Sequence, residues 1–284
     1  MKKILFLTDF SDLADQAYRY ALSLAEKITA EIHILHVVPI IEATDLEEQQ
    51  RIHPFAEFYK ENLEAQQWQA FQDEVKRLEQ IALANDQWDV PVYFHFEKGY
   101  FQEIALDYTS EKGINLVVMG TAGSKTLDAQ LFGTHTSKLI DALQIPVLAI
   151  PQRAIYAAMR NFATAVLLTK NEIPLIAQLK KQLAPFQKPF TCVHIAATAK
   201  EAANAHNRAT AWLEQLSDQD IQLHILNETD SICGLKKYVS EQHIDVLCLL
   251  HRNLSVVQRF FKTNYTKNLL QQSETALLIY PSSL

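Results

Sequence analysis

Glycine is scarce in this chain, and half of it falls in one short stretch. The 284 residues contain six glycines. Segment 119–136 holds Gly120, Gly123 and Gly133 in the pattern G-x2-G-x9-G-T. The stretch follows a buried strand pattern and leads into a helical one. Glycine lets backbone N–H groups approach an anion because no Cβ stands between them. The spacing therefore predicts a phosphate-binding loop, with a purely geometric turn as the alternative.

Polar groups flank these glycines. Thr134 begins a predicted helix over residues 134–143, whose free N–H groups and dipole favour phosphate. Thr134 and Thr136 add hydroxyl donors, Lys125 adds a positive charge, and His135 offers a backbone N–H.

Two further candidates end the first two predicted strands, at the sheet edge where ligands of open α/β sheets bind. The carboxylate of Asp9 can accept a hydrogen bond from a ribose hydroxyl or an adenine amino group, and its alternative role is helix capping. Val38 can present backbone groups to a base edge, and its alternative role is plain packing.

The elements that must position these residues follow from the hydrophobic pattern. Short apolar runs alternate with helical patterns, which predicts an α/β fold with a parallel sheet covered on both faces. One helix follows residue 11 or 12, and another covers residues 100–112 and ends at Gly113. The predicted strands cover residues 4–7, 32–38, 92–96, 116–119, 146–150, 165–168, 190–195, 221–226, 246–250 and 276–281.

The pattern repeats along the chain. The closing strands end at Pro151 and Pro281, 130 residues apart, and the same offset relates residues 139–140 to 269–270. We therefore predict two tandem domains, 1–151 and 152–284. The first contains an acidic helical insertion at about residues 40–86, interpreted as a surface helix, with a partner-binding or dimer helix as the alternative.

The predicted second domain lacks the glycine pattern. At the 130-residue offset, Gly120, Gly123 and Gly133 are replaced by Leu250, Asn253 and Thr263. Asp9, at the end of the first strand, is taken to correspond to Lys170. This half is interpreted as a degenerate copy that has lost the site. The alternative is a basic anion pocket formed by Lys170, Arg252, Arg259 and Lys262.

Composition excludes several classes of protein. The net charge of −7 argues against binding to nucleic acid. The three cysteines form no CxxC pair, which fits a reducing cytosol and argues against a thiolate metal site. No signal peptide or membrane span is predicted. No metal cluster and no catalytic base–nucleophile pair is predicted either.

Three motifs together resemble the universal stress protein family in its tandem two-domain form. They are Ile4-Leu5-Phe6-Leu7-Thr8-Asp9-Phe10-Ser11, His36-Val37-Val38-Pro39 and the glycine loop. The resemblance extends over both halves. It implies two tandem five-stranded parallel-sheet domains of Rossmann-like type, with ATP held by the loop. By the resemblance, Asp9 and Val38 hold the nucleoside, while Met119, Gly120, Gly123, Gly133, Thr134 and His135 line the phosphates, with Thr136 just beyond.

The resulting hypothesis is a cytoplasmic stress or signalling protein in which ATP shifts conformation or association. AMP and ADP remain open as ligands. One rival is a slow Mg²⁺-dependent ATPase, for which Asp128 is the loop carboxylate, and another is a ligand-free interaction scaffold. No residue is assigned a catalytic role. We also expect the two halves to form an intramolecular pseudo-dimer, with a homodimer of chains left open.

Overall fold

The structure is a computed structural model that describes most residues of the chain. These are residues 2–39, 56–121, 134–151, 154, 156, 159–186, 189–216, 220–250 and 275–281, without the side chains of residues 56–64 and 134–137.

Strands and helices alternate along the chain, and the sheet is mostly parallel, as predicted. The first half contains β1 (Lys2–Leu7), α1 (Asp12–Ile28), β2 (Ala30–Val38), α2 (Ala56–Ala84), β3 (Val92–Lys98), α3 (Phe101–Lys112), β4 (Leu116–Gly120), α4 (Thr134–Ala142) and β5 (Val147–Ile150). The second contains β6 (Phe162–Ala165), α5 (Ile173–Leu183), β7 (Phe190–Ala196), α6 (Ala199–Leu216), β8 (Ile221–Asn227), α7 (Ser231–Glu241), β9 (Val246–Leu250) and β10 (Ala276–Tyr280). Short 3₁₀ turns cover Lys170–Glu172 and Ala184–Phe186.

The two five-stranded sets join into one ten-stranded sheet, in the order β3-β2-β1-β4-β5-β10-β9-β6-β7-β8. The β5–β10 pair is antiparallel, with Leu148 opposite Leu278, whereas the other pairs are parallel. Each closing strand thereby covers the edge of the other, because their backbone N–H and C=O groups pair across the seam.

The apolar strand runs arise because both faces of the sheet are buried. Ile4 and Phe6 belong to the cluster on one face, and Leu5 and Leu7 to the cluster on the other. Successive strand side chains point to opposite faces, so a strand covered by helices on both sides must be apolar at every position.

Helix α1 begins where the sequence places its cap. The Ser11 hydroxyl accepts a hydrogen bond from the Ala14 N–H at 3.3 Å, which satisfies one of the free donors of the first turn. Helix α3 ends at Gly113, whose φ of +64° is the left-handed conformation that favours glycine.

The extra length of the first half lies in the β2–β3 connection. Helix α2 lies in this connection and has 29 residues. The corresponding helix of the second half, α6, lies between β7 and β8 and has 18 residues. Its buried residues include Phe71, Leu78 and Ile81. None of the described helices is both long and apolar enough to cross a bilayer.

One predicted strand is wrong in its position. Sequence pattern places it at residues 165–168, but β6 spans Phe162–Ala165. Beyond Val166 the chain leaves the sheet, because the Leu167 N–H bonds to the carboxylate of Glu172 and Leu168 adopts a φ of +59°. The apolar residues at 166–168 therefore form a turn.

Residues 1–152 produced alone should self-associate or aggregate, because removing the second half leaves the apolar strand β5 without its antiparallel neighbour. Analytical ultracentrifugation over a concentration series, with the full chain as control, measures this. A fragment that stays a monomer at high concentration would contradict the importance of the seam.

Candidate functional site

The turn between β1 and α1 presents Asp9 at the carboxyl edge of the sheet. One carboxylate oxygen, Oδ1, accepts hydrogen bonds from the Ser11 N–H at 3.1 Å and the Ser11 hydroxyl at 2.6 Å. The side chain of Asp9 is nevertheless exposed. Asp9 therefore orients the cap residue Ser11 and does not itself cap α1, which differs from its predicted alternative role, and it still offers a carboxylate to solvent.

Phe10 has a left-handed backbone, with a φ of +62°. This conformation costs a non-glycine residue on the order of 1 kcal/mol or more, so the surroundings must hold it. The Phe10 N–H donates to the Thr8 hydroxyl at 3.2 Å, and its ring stacks on His36 with centroids 3.8 Å apart. Arg77 donates to the Phe10 carbonyl at 3.5 Å.

His36 ties the end of β2 to this turn. Its Nδ1–H donates to the carbonyl of Thr8 at 2.9 Å. Burial lowers the pKa of His36, so the neutral ring is the form present at neutral pH. The strand that carries Val38 is therefore fastened directly to the turn that carries Asp9.

The backbone of Val38 faces away from β1. Its carbonyl accepts a hydrogen bond from the Gly99 N–H at 3.0 Å, at the β3 side of the strand. The carbonyl of Leu35, by contrast, accepts from the Thr8 N–H on the β1 side. Successive residues of a strand direct their backbone N–H and C=O groups to opposite neighbouring strands. The backbone groups of Val37 therefore face the β1 side, at a position past the last β1–β2 pair, Leu7 and Leu35. Sequence reasoning missed Val37, although strand alternation is a signal that could have identified it.

Strand β4 carries Met119 and Gly120 to the same edge. Met119 is buried, with 4% of its surface exposed. A Cβ on Gly120 would lie 2.9 Å from Cγ and Cδ2 of Leu13 in α1. The structure thus gives Gly120 a packing role, since it lets the first turn of α1 approach β4.

Of the remaining residues predicted on the phosphate side, Thr134, His135 and Thr136 lie within the described part of the chain. Gly123, Lys125 and Gly133 lie outside the described residues, as does Asp128. Helix α4 begins at Thr134, as predicted, and so includes His135 and Thr136 in its first turn.

Helix α2 contributes a buried ionic network that sequence reasoning did not assign to the site. The Glu74 carboxylate is 5% exposed by residue, accepts from the Thr8 hydroxyl at 3.5 Å and lies 2.7 Å from Nη2 of Arg77. The same guanidinium nitrogen lies 3.0 Å from Asp15 of α1. Burial raises the pKa of Glu74 and of Asp15, and the Arg77 charge opposes that rise. The Glu74–Arg77 pair is a local i,i+3 pair on the helix, but no local signal indicates the Thr8–Glu74 contact, which joins residues 66 positions apart in the sequence.

Aromatic rings pack beside this network. Phe71 of α2 lies 5.2 Å from Phe96 and 6.2 Å from Phe10, measured between ring centroids. Trp68 stacks on Phe71 at 5.5 Å and is half exposed. Helix α2 therefore reaches the site through both apolar and charged contacts.

The second half repeats the turn with different side chains. In the first half, Leu7 pairs with Leu35 of β2 and Met119 of β4. In the second half, Ala165 pairs with Val193 of β7 and Leu249 of β9, which are the corresponding strands. Leu7 and Ala165 therefore occupy equivalent positions. Leu168 then matches Phe10 in its positive φ, and the bond from His194 to the Val166 carbonyl at 2.8 Å matches the bond from His36.

The alignment of Asp9 with Lys170 is therefore wrong. Leu167 occupies the position of Asp9, and the carboxylate of Glu172 fills the turn from inside, accepting from the N–H groups of Leu167 at 2.9 Å and Thr169 at 2.8 Å. Lys170 instead lies at the start of the following 3₁₀ turn.

Comparison with known proteins gives a consistent family. The model of the "Universal stress protein family" matches residues 1–151. A universal stress protein of Methanocaldococcus jannaschii is 26% identical over 149 residues, which are 52% of this chain and 81% of that protein. One from Synechocystis is 29% identical over 161 residues, which are 52% of this chain and 96% of that protein.

A solved structure matches the fold over nearly the whole chain. The universal stress protein from Archaeoglobus fulgidus superposes with a TM-score of 0.66 at 12% identity, and the match covers 98% of this chain and 96% of that one. The likeness in fold thus includes the half that the family model does not match.

Gly120→Ala should destabilise the protein by about 1–3 kcal/mol, because the added Cβ overpacks Leu13. Chemical denaturation measures the change in the free energy of unfolding. The cost should shrink when the substitution is made in a Leu13→Ala background, which removes the clashing atoms. An equal cost in both backgrounds would show that Gly120 does not serve this contact.

Proposed function

The chain belongs to the universal stress protein family, and on that premise we propose that it binds an adenine nucleotide, ATP, in its first half. Binding would bias the conformation or the association of the protein in a stress response. The observation that carries this proposal is the β1–α1 turn, which presents the exposed carboxylate of Asp9 at the ligand-binding edge of the sheet, beside the free end of the β1–β2 ladder.

The nucleoside would lie between this turn and the end of β2. Asp9 would accept from a ribose hydroxyl, since its carboxylate is accessible while Ser11 fixes its orientation. Val37 supports a base contact better than Val38 does, because its backbone groups face β1 and those of Val38 face β3.

The phosphates would lie at the start of α4. The pattern G-x2-G-x9-G-T runs from Gly120 to Thr134, and it delivers the chain directly to a helix N-terminus, where backbone N–H groups favour an anion. Within this loop, Gly123 and Gly133 would provide the close backbone approach, and Lys125 a positive charge. Gly120 would contribute indirectly, by placing β4 against α1.

The second half would bind no nucleotide at its corresponding turn. Leu167 offers no carboxylate there, and the Glu172 side chain occupies the N–H groups of the turn. An incoming anion would have to displace a buried carboxylate that already has four hydrogen bonds.

The cysteines support a reducing compartment such as the cytosol. All three are free, and Cys192 and Cys248 are buried. Burial raises the pKa of the Cys248 thiol to about 12, which keeps it protonated and unreactive at neutral pH.

Calorimetry of the full chain with ATP should give one site per chain. The expected result follows from the loss of the glycine pattern and the filled turn in the second half. Titrations with AMP and ADP under the same conditions rank the ligands. Two equivalent sites would contradict the inactive second half, and no heat or saturable binding with any of the three would contradict the proposed function.

Gly123→Val or Gly133→Val should abolish ATP binding while the fold survives, because a branched side chain blocks the approach of backbone to phosphate. Ala129→Val, at a non-glycine position of the same loop, is the matched control. Calorimetry measures binding, and circular dichroism checks the fold. Normal ATP binding by both glycine variants would place the phosphates elsewhere.

A further inference from the structure

The turn that carries Asp9 lacks the internal support present in its counterpart. In the second half, the carboxylate of Glu172 bonds to two backbone N–H groups of the turn. Leu7 and Ala165 occupy equivalent positions in the two halves, and Ala14 and Glu172 each follow seven residues later. Ala14 is therefore the first-half residue equivalent to Glu172. The first turn is supported instead by its own Thr8 and Asp9 side chains, which accept from the N–H groups of Phe10 and Ser11, and by contacts from elsewhere in the chain.

Helix α2 supplies these contacts at both ends of the turn. Before Asp9, the Thr8 hydroxyl donates to Glu74 and at the same time accepts from the Phe10 N–H. After Asp9, the guanidinium of Arg77 donates to the Phe10 carbonyl. Glu74 and Arg77 bond to each other at 2.8 Å, so the two ends are linked through one ion pair.

The same guanidinium also lies close to two carboxylates at the start of α1. Nη2 of Arg77 lies 3.0 Å from Asp15, and its neighbour Nη1 lies 3.9 Å from the exposed Asp12. Removing Arg77 would leave Glu74, which is 5% exposed, as a buried carboxylate without its cation. Such a charge is strongly unfavourable, so the turn and α2 would have to rearrange.

We propose that Arg77 and Glu74 are positioning residues of the nucleotide site, through which helix α2 holds the Thr8–Ser11 turn in the conformation that presents Asp9. The inference rests on the proposed function. In this proposal α2 affects binding of the nucleoside end of the ligand. The side chains of Arg77 and Glu74 act through the turn and do not touch the phosphates.

This placement predicts a particular ligand dependence. A defect at the nucleoside end lowers the affinity for adenosine and for ATP by the same factor, because both ligands share that end. A defect in the glycine loop lowers the affinity for ATP alone. The two kinds of variant therefore separate the two ends of the site.

The experiment compares Arg77→Met, Arg77→Lys and Glu74→Gln with wild type, with calorimetry for ATP and ligand-observed NMR for adenosine. We expect Arg77→Met to weaken both ligands by the same factor, about tenfold for the loss of one hydrogen-bonded charged group. Arg77→Lys should recover part of the loss, since it keeps the charge beside Glu74. Glu74→Gln should weaken both ligands less, because an amide oxygen still accepts from Thr8.

Two controls separate positioning from general destabilisation. Lys76→Met changes an exposed cation on the same helix and should leave both affinities unchanged. Leu78→Ala removes a fully buried side chain of α2 and should lower the free energy of unfolding, with normal binding below the unfolding transition. Trp68 fluorescence, in a background where Trp88 and Trp212 are both replaced by Phe, reports whether ligand shifts α2, and the shift should disappear in Arg77→Met.

The outcomes are distinct. Wild-type protein that binds neither ATP nor adenosine overturns the proposed function and this inference with it. Wild-type binding with unchanged affinities in Arg77→Met and Glu74→Gln overturns the positioning role alone. Loss of ATP affinity without loss of adenosine affinity also overturns it, since that pattern belongs to the phosphate end. If Arg77→Met does not fold, Glu74→Gln and Arg77→Lys decide by the same criteria.

Discussion

The structure depends on how the chain leaves the first strand of each half. Three residues must carry it from the sheet edge to a helix N-terminus, which forces a left-handed conformation on Phe10 and on Leu168. A histidine of the neighbouring strand bonds to the carbonyl two residues earlier in both cases. The residue before the left-handed position lies at the carboxyl edge of the sheet in both halves. That residue is Asp9, with an exposed carboxylate, in the first half and Leu167 in the second.

The two turns share their backbone and differ in their support. Glu172 holds the second turn from within, at the cost of filling its N–H groups. The first turn is held by Glu74 and Arg77 of α2 and stays open on its outer side. A helix that is remote in sequence thus contacts the first turn at both ends without covering the exposed carboxylate of Asp9.

The seam places the two halves in one continuous sheet. Because β5 and β10 pair in antiparallel fashion, the five parallel strands of one half run opposite to those of the other. The carboxyl ends of the first-half strands therefore lie at the same edge of the sheet as the amino ends of the second-half strands. Helix α1 also contacts the connection between them, where Gln16 accepts from the Tyr156 N–H at 3.2 Å.

The sequence by itself determined the elements and the family. Apolar runs identified nine of the ten strands that the structure describes, and Ser11 and Gly113 marked helix ends. The glycine spacing and the motif at residues 4–11 indicated the candidate site, because these signals act over a few residues. Only the tertiary structure decided the rest. The carboxylate of Glu172 ends β6 early, Leu13 explains Gly120, the ladder to β3 turns Val38 away from β1, and the ion pair of α2 reaches the turn from 66 residues away. Each of these depends on which groups the folded chain brings together, and burial then makes an unpaired polar group or an extra Cβ costly.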